Sequence, residues 1–526
     1  MTFAMALAWD INSIKSGEFK RFLSTLAERE FGKELSEAIG AAWHEYDRLV
    51  SLRKHEHIEP HTFSLLNYNE VEDILNRWKT LLGTAEAIHQ CATDEQRPSV
   101  FQLVLHPIKA SATFIALQIN LGRNQLYAKQ RRNSANTLAQ HVLDLFDADF
   151  TLSEEFHTLL NGKWNHMMRQ PHYGFGNTWH APSRDMISGL CYVQRRQNSN
   201  PIVGQMGIAV EGHEGVRPGR CNEESDRTHP SRRDLVPGVT LGAMTRYGPA
   251  SRWVDVFTRG SPTIHWSTSV PYDWIKLSVT SGTLIPGEGD ARVEITIDWD
   301  QVPLDFNEDF LIDIRSAEGD FEQVHLPILG RKVPETFFGF VEGDGYICIP
   351  TSCGLTPSYR LLPEVGRSST GSVALNLHDE KHEVSQIMSK TNYLTYNAYF
   401  FTKSGTLELL LYFNMTLDID PSDPMTYDIL IDGNMQTHKL IPESTNDGYL
   451  PEGWAEAVQD CVWVKKHQFS GENPGPRAHI IQVGLKHSNM LLEKLVVNLG
   501  GVKESYLGPP PSYCVCKMNI GGIKQP

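Results

Sequence analysis

The sequence has too little positive charge, and the wrong cysteine spacing, for several common functions. Its 48 basic residues are outnumbered by 63 acidic ones, giving a formal net charge of -15. Proteins that bind the phosphate backbone of nucleic acids need the opposite balance, so we expect no nucleic-acid partner. The eight cysteines form no CxxC pair and show no zinc-finger spacing. We therefore expect no metal site and no cofactor, while the disulfide state stays open.

An uninterrupted apolar run long enough to cross a membrane is also missing. The longest apolar stretch, residues 100–121, contains His106, Pro107, Lys109 and Gln118, which would be unfavourable in a bilayer core. This pattern predicts a buried helix and no membrane partner. Residues 2–9 are apolar but follow no basic segment, so they are not a convincing signal peptide. Either the protein is intracellular or its true amino terminus is missing, and the compartment stays open.

A length of 526 residues allows two to four domains, and the first third has the apolar period of helices. One apolar helix face begins with Phe19, Phe22, Leu23 and Leu26, and a second begins with Leu35. Other helices are predicted at residues 103–121 and 136–146. A further helix follows Asn69, with Glu72 three residues later in a cap-like arrangement. These segments predict an antiparallel helical bundle over residues 13–192.

The pattern then changes to that of β-structure. Residues 193–238 are polar and rich in Gly and Pro, which predicts a surface loop or linker. A period of two follows, predicting an immunoglobulin-like β-sandwich over residues 239–335 and a second sandwich over residues 336–513, with Asp432-Gly433 as a hairpin turn. Residues 514–526 are expected to be an unstructured tail. The predicted fold class is thus multidomain, α then all-β.

Several stretches, in order along the chain, resemble motifs of a known family. The strongest runs from Lys163-Trp164-Asn165-His166-Met167-Met168 through Gln170, His172, Gly174 and Trp179. The others are Thr62-Phe63-Ser64 with Asn67-Tyr68, residues 101–112, Arg252-Trp253-Val254-Asp255-Val256-Phe257 with Arg259-Gly260, and the closing segment Gly500-Gly501-Val502-Lys503 with Ser505-Tyr506-Leu507-Gly508-Pro509-Pro510. Together these stretches resemble glycoside hydrolase family 115.

The resemblance implies an inverting xylan α-1,2-(4-O-methyl)glucuronidase, which removes glucuronic acid side groups from xylan. Members of that family are similar in carrying a catalytic (β/α)8 barrel before the helical domain. Residues 1–12 resemble the last strand of that barrel. A barrel needs about 250 residues of alternating strand and helix, and no such alternation precedes the bundle. We therefore expect a carboxy-terminal portion of the enzyme without its barrel.

Five residues are candidates for substrate binding. Trp9 and Asp10 would lie at the carboxyl end of a barrel strand, where barrel enzymes place functional groups. His166, His172 and Trp179 could form a rim that contacts sugar. A purely structural role is the alternative for each. The resemblance is weaker at Arg169 and Pro171, where the family has an acidic residue and a threonine.

No catalytic residue can be assigned from the sequence. Glycoside hydrolysis needs two carboxyl groups about 5 to 10 Å apart on a rigid scaffold. The pairs Asp298/Asp300 and Glu308/Asp309 are expected to be solvent-facing residues of strands and turns. The tryptophans of the first sandwich, Trp253, Trp266, Trp274 and Trp299, are expected to pack in its core and not to form a sugar platform.

Two classes of function remain open. The chain is part of an α-glucuronidase that acts on glucuronoxylan or its oligosaccharides, or it is a noncatalytic protein that binds carbohydrate or a partner; an inactive truncated product is the extreme case. Whether this chain is itself an enzyme is undecided. The resemblance further implies a possible homodimer, and secretion if the full-length enzyme carries a signal peptide.

Overall fold

The computed structural model shows helices first and β-sheets after them, which confirms the predicted α then all-β organisation. It describes residues 2–14, 18–170, 172–173, 187–193, 205–215, 240–376, 393–418, 420, 422–442, 450–473 and 476–515. Within these ranges no strand–helix alternation of a (β/α)8 barrel occurs. The exact domain boundaries, and the immunoglobulin-like label of the first sandwich, stay predictions.

Seven helices precede the first strand in the described ranges. They are α1 (Thr2–Trp9), α2 (Phe19–Phe31), α3 (Lys33–Val50), α4 (Glu70–Cys91), α5 (Arg97–Val100), α6 (His106–Lys129) and α7 (Ser134–Gly162), with a π-helical turn at Phe101–Leu105 and a 3-10 turn at His55–His57. The backbone of α7 leaves the helical conformation at residues 159–161. Helix α2 packs on α3, α3 on α4, α4 on α6 and α6 on α7.

The apolar period explains how these helices bury one face. In α4 the buried residues Val71, Ile74, Trp78, Leu81 and Ala85 recur every three or four positions, which places them on one side of the helix. Helix α4 begins directly after Asn69, as predicted. The expected cap is absent, however, because Asn69 has a positive φ of 55° and its side chain makes no capping bond; its amide donates to Asp73 instead.

The amino-terminal segment corrects one prediction. Residues Thr2–Trp9 form helix α1 and not the last strand of a barrel. An isolated strand would leave its backbone N–H and C=O groups without partners, whereas a helix pairs them internally. Contact with the bundle is confined to a few side chains, such as Phe3, whose ring lies 4.8 Å from that of Phe19.

The first sandwich consists of two sheets around one core. Its strands are β1 (Met206–Val210), β2 (Met244–Thr245), β3 (Ser251–Thr258), β4 (Ile264–Ser269), β5 (Ile275–Leu277), β6 (Ser281–Leu284), β7 (Ala291–Ile297), β8 (Asn307–Ser316) and β9 (Phe321–Leu329). One sheet has the order β1-β3-β7-β5 and the other β2-β9-β8-β4-β6. Side chains of β4 alternate strictly between buried and exposed, as expected for a strand with one face in the core.

Strand β1 corrects the predicted polar linker at residues 193–238. Its five residues are all buried, and they pair antiparallel with β3 from Met206 opposite Thr258 to Val210 opposite Val254. A short apolar run inside a polar region has no period to reveal it, and only the long-range pairing with β3 identifies it as a strand. The tryptophan prediction is confirmed for three of the four residues, since Trp266 and Trp274 are buried and Trp299 packs against the same core. Trp253 does not belong to that core; it is only partly buried, and the guanidinium of Arg292 lies 3.8 Å from its ring centroid.

The second sandwich also has two sheets. Its strands are β10 (Gly339–Val341), β11 (Tyr346–Pro350), β12 (Tyr359–Leu362), β13 (Ser372–Leu375), β14 (Leu394–Phe400), β15 (Ser404–Asn414), β16 (Thr426–Ile431), β17 (Asn434–Lys439), β18 (Val462–Asn473), β19 (Arg477–Leu485), β20 (Leu492–Asn498) and β21 (Cys514–Val515), with helix α8 (Trp454–Asp460) before β18. The sheet orders are β17-β16-β19-β14-β10-β21 and β12-β13-β20-β15-β18, with β11 also paired to β20.

Two features of this sandwich bear on the predictions. Strands β16 and β17 pair up to Ile431 opposite Asn434, so Asp432 and Gly433 form a two-residue turn with positive φ at both positions. This is the backbone of a type I′ hairpin and confirms that prediction. Cys514 and Val515 pair with β10, so they are a strand and not part of the expected tail; residues 516–526 lie outside the described residues.

Polar contacts join the three parts of the molecule. Arg132 of the helical region binds Asp255 and Asp290 of the first sandwich at 3.0 and 3.1 Å. Arg252 of the first sandwich binds Asp344 of the second at 2.8 Å. Each contact joins residues distant in the chain, and buried ion pairs of this kind require well-defined geometry.

The apolar helix that was predicted at residues 100–121 is largely internal. Among the residues that the structure describes, the continuous helical stretch Arg97–Lys129 is long and apolar enough to span a membrane, and 61% of its most apolar window is buried within the protein. This burial agrees with the prediction of a core helix.

Candidate functional site

The candidate residues at the amino terminus face solvent. Trp9 is 94% exposed, and the carboxylate of Asp10 accepts a hydrogen bond from the backbone N–H of Asn12. This short local contact is typical of a turn after a helix. The structure therefore places both residues on the surface beyond α1, and their proposed role in substrate binding stays a prediction.

The histidine candidates lie elsewhere, near the end of α7. His166 is exposed and has a positive φ of 69°. His172 Nδ1 lies 2.7 Å from a carboxylate oxygen of Asp149, and this hydrogen bond raises the pKa of His172. Trp179, the fifth candidate, lies outside the described residues. Neither histidine lines the cleft described below, so the structure does not bring the candidates together there.

A buried polar cluster supports this part of the helical region. The side chain of His106 is buried, and burial lowers its pKa to about 4. His157 Nε2 accepts the backbone N–H of Met168 at 3.1 Å, and its Nδ1 lies 3.3 Å from Glu154. These contacts fix the Lys163–Met168 run against α7, which favours the structural alternative for that run.

A cleft lies between the helical region and the second sandwich. It encloses about 590 Å³ and is lined on one side by Arg53, residues 61–67 and Lys129, and on the other by Arg367, Tyr412 and Tyr506. Pockets for small ligands span about 300 to 1,000 Å³. The cleft is therefore large enough for a small molecule or for one or two units of a polymer.

The charges of the cleft are mostly paired within the protein. Arg53 binds a carboxylate oxygen of Asp460 at 2.7 Å, and Lys129 lies 3.6 Å from Glu214. Tyr506 lies between the two arginines, with the guanidinium carbons of Arg53 and Arg367 at 5.1 and 4.8 Å from its ring centroid. Burial raises the pKa of Tyr506, and the two arginines oppose that rise.

The closing segment of the chain forms one wall of the cleft and is held by a single glutamate. The carboxylate of Glu70 accepts the backbone N–H groups of Ser64, Tyr506 and Leu507 at 2.6, 3.1 and 2.6 Å. The Tyr506 hydroxyl donates to the carbonyl oxygen of Leu52 at 2.7 Å. This glutamate clasp, defined as Glu70 with its three amide donors, joins residues at the two ends of the sequence.

Glycine is required beside the clasp. A Cβ placed on Gly501 would lie 1.8 Å from the carbonyl oxygen of Asp344, far inside contact distance. The Gly500-Gly501 pair thus permits close packing of backbone segments, in agreement with the expectation that these glycines serve the turn and not a ligand.

A pair of catalytic carboxylates is not evident among the residues that are described. Asp300, Glu308 and Asp309 are exposed, and Asp298 is partly exposed at a turn. The side chain of Asp309 is bound by His325 at 2.8 Å. These observations agree with the expected solvent-facing positions. The described ranges also hold no cluster of three or more His, Cys, Asp or Glu residues able to bind a metal ion.

Comparison with protein families shows that two parts of the chain match known family profiles. The profile of the glycosyl hydrolase family 115 C-terminal domain matches residues 339–511, and the profile of glycosyl hydrolase family 115 matches residues 1–57. The chain thus carries the C-terminal domain of glycosyl hydrolase family 115 and a short amino-terminal segment of that family. The first profile covers most of the second sandwich and the closing segment, and the second includes α1, α2 and α3.

Solved structures provide only distant likenesses. A family 115 4-O-methyl-α-glucuronidase with specificity for decorated arabinogalactans is similar at 11% identity and a TM-score of 0.47, over 94% of this chain and 43% of that one. The chain thus spans less than half the length of that enzyme. The mosquito-larvicidal Cry4Aa toxin of Bacillus thuringiensis is similar at 8% identity and a TM-score of 0.23, over 92% of each chain. A search of curated proteins found no match.

The sequence did not identify the cleft, although it contained a signal. The stretches Thr62-Phe63-Ser64 and Ser505-Tyr506-Leu507, both quoted for the family resemblance, contact each other and line the cleft. Arg53 and Arg367 carry no motif and were not predicted. Their proximity depends on the packing of domains that are far apart in the chain.

Proposed function

We propose that the chain forms the helical and β-sandwich part of a xylan α-1,2-(4-O-methyl)glucuronidase that releases glucuronic acid side groups with inversion. Catalytic carboxylates are supplied by a (β/α)8 barrel outside the described residues, while this part supports the barrel and contacts glucuronoxylan. The observation that carries the proposal is the family 115 match over residues 1–57 and 339–511.

The state of the carboxylates supports a noncatalytic role for this part. An inverting glycosidase needs a general acid and a general base about 6.5 to 9.5 Å apart, with room between them for water and sugar. In the cleft, Asp460 and Glu214 are paired with Arg53 and Lys129, and Glu504 lies exposed at the rim. Because cations within the protein hold both carboxylates, neither is placed as a free general acid or general base.

Release of product tests the proposal directly. The purified chain is incubated with glucuronoxylan, alone and with a separately produced family 115 barrel, and free 4-O-methylglucuronic acid is measured by anion-exchange chromatography. We expect no release by the chain alone and faster release by the barrel when the chain is present. Release by the chain alone, or no effect on the barrel, would contradict the proposed division of labour.

The second candidate function is a noncatalytic carbohydrate-binding protein, and the cleft favours it as an alternative. A pull-down of the chain on insoluble glucuronoxylan, with unsubstituted xylan as the control, distinguishes the two. Binding to glucuronoxylan without any effect on the barrel would favour the alternative. A homodimer stays a prediction, which light scattering on the purified chain would check.

A further inference from the structure

The cleft contains a buried cation without a carboxylate partner. Arg367 is 7% exposed, and in the described part of the chain no carboxylate lies within 4.0 Å of its guanidinium. Its Nη1 donates to the backbone carbonyl of Asp460 at 3.2 Å, and its Nε makes no hydrogen bond. A buried charge is costly without compensation, and Arg53 beside it shows the usual solution, an ion pair with Asp460.

A hydroxyl in the same wall is also unpartnered. Ser505 Oγ is buried and makes no hydrogen bond, and Ser505 lines the cleft next to Tyr506. Nearly all buried polar side-chain groups have a partner in native proteins. The guanidinium of Arg367, whose Nε has no hydrogen-bond partner, and the unpartnered Ser505 Oγ both line this cleft. Together they point to a ligand that supplies both an anionic group and a hydrogen-bonding group.

We propose that this cleft binds an acidic sugar, with the carboxylate of a uronic acid on the Arg367 guanidinium and a sugar hydroxyl on Ser505 Oγ. Arginine suits this role because its planar N–H fork matches a carboxylate. Stacking on Tyr506 and the bond to Asp460 hold the guanidinium in place. The choice of a uronic acid over another carboxylate rests on the proposed function, whereas the anion site itself rests on the cleft alone.

Arg367 and Ser505 line the cleft, but Arg367 Nε and Ser505 Oγ are buried, so we expect binding to include a small rotation of their side chains, a common change at binding sites. The remaining charges are consistent with a single anion. Lys129 and Arg53 are neutralised by Glu214 and Asp460, while Glu504 is exposed at the rim. Among the described cations that line the cleft, Arg367 is the one with no carboxylate within 4.0 Å. We therefore expect one carboxylate to bind, and a neutral sugar to bind poorly.

Isothermal titration of the full chain tests the site with three probes: D-glucuronate, D-glucose and inorganic phosphate. We expect glucuronate to bind at least about tenfold more tightly than glucose, because glucose lacks the group that pairs with Arg367. Equal affinities for glucuronate and glucose would overturn the proposal. Phosphate binding as tightly as glucuronate would overturn the sugar assignment and leave a general anion site.

Two variants place the binding in this cleft. Arg367→Lys keeps the charge but removes the planar N–H fork, and Ser505→Ala removes a hydroxyl that has no hydrogen-bond partner among the described residues. We expect each to weaken glucuronate binding about tenfold. Ser505→Ala should leave the unfolding midpoint unchanged, so it remains informative if Arg367→Lys fails to fold. Arg360→Gln, a change at an exposed arginine of β12, is the matched control and should bind normally.

The outcomes separate this inference from the proposed function. Normal glucuronate affinity in both variants would refute the site, even if the chain accelerates release by the barrel. Conversely, loss of binding in the variants would support the site, even if the chain has no effect on xylan.

Discussion

The glutamate clasp allows a prediction whose size can be worked out from the structure. Glu70→Gln keeps the shape of the side chain but leaves one acceptor oxygen for three amide donors. In the more favourable orientation of the new amide, its oxygen still accepts the N–H groups of Ser64 and Tyr506. The N–H of Leu507, which donates to Glu70 Oε1 at 2.6 Å in the unmodified chain, then faces the amide NH₂ group and loses its acceptor. An unpaired buried donor costs about 1–3 kcal/mol, and each retained bond weakens by about 1 kcal/mol when the charge is lost.

Part of this loss is offset because the variant no longer buries a charge. Burial raises the pKa of Glu70, and the three amide donors oppose that rise, so the ionised carboxylate carries a desolvation penalty. We expect a net weakening of the clasp by about 2–3 kcal/mol. Hydrogen exchange of the backbone N–H groups of Tyr506 and Leu507 should then become about 30 to 150 times faster.

Exchange measured by mass spectrometry on peptides that cover residues 500–515 is the assay, because it reports local opening without requiring two-state unfolding of a multidomain chain. Glu86→Gln is the matched control, since Glu86 is exposed on the same helix, α4. In this variant the exchange of residues 500–515 should match that in the unmodified chain. Unchanged exchange of the closing segment in Glu70→Gln would refute the reasoning that this carboxylate holds it.

Three further predictions follow from other buried groups. Arg132→Met should destabilise the chain by about 3–5 kcal/mol in urea unfolding, because Asp255 and Asp290 lose a buried cation. A change in the free energy of unfolding below about 1 kcal/mol would contradict this. Burial lowers the pKa of His467 to about 4 from 6.5, so only the unfolded state gains this proton between those values. Stability should fall by about 1–3 kcal/mol as the pH drops from 6.5 to 4, and His467→Gln should flatten that curve; an unchanged curve would contradict the assignment. Burial also raises the pKa of Cys348 to about 11, so iodoacetamide should label exposed Cys91 in the native chain and Cys348 only after unfolding.

Helical and strand elements with a strong period could be predicted because their pattern is local. The stripe from Val71 to Ala85 places one face of α4 in the core whatever its neighbour is. The Asp432-Gly433 turn is similarly local, since both residues adopt positive φ readily. Such features depend only on backbone geometry and on the separation of apolar from polar side chains.

The amino-terminal segment and β1 show where local patterns fail. Residues 2–9 and 206–210 are both short and apolar, without a clear period, and each was assigned incorrectly. The first becomes a helix, in which its backbone groups bond to one another, and the second becomes a strand because β3 supplies partners. For short apolar runs, the available neighbour decides between helix, strand and loop.

The sequence by itself determined the α then all-β order and the resemblance to family 115. Only the tertiary structure decided where the candidate site lies. Arg53, Glu70, Arg367 and Ser505 are separated by up to hundreds of positions, and no spacing rule connects them. They meet because burial of apolar faces packs the helical region against the second sandwich, and the clasp and ion pairs then fix the register of that contact.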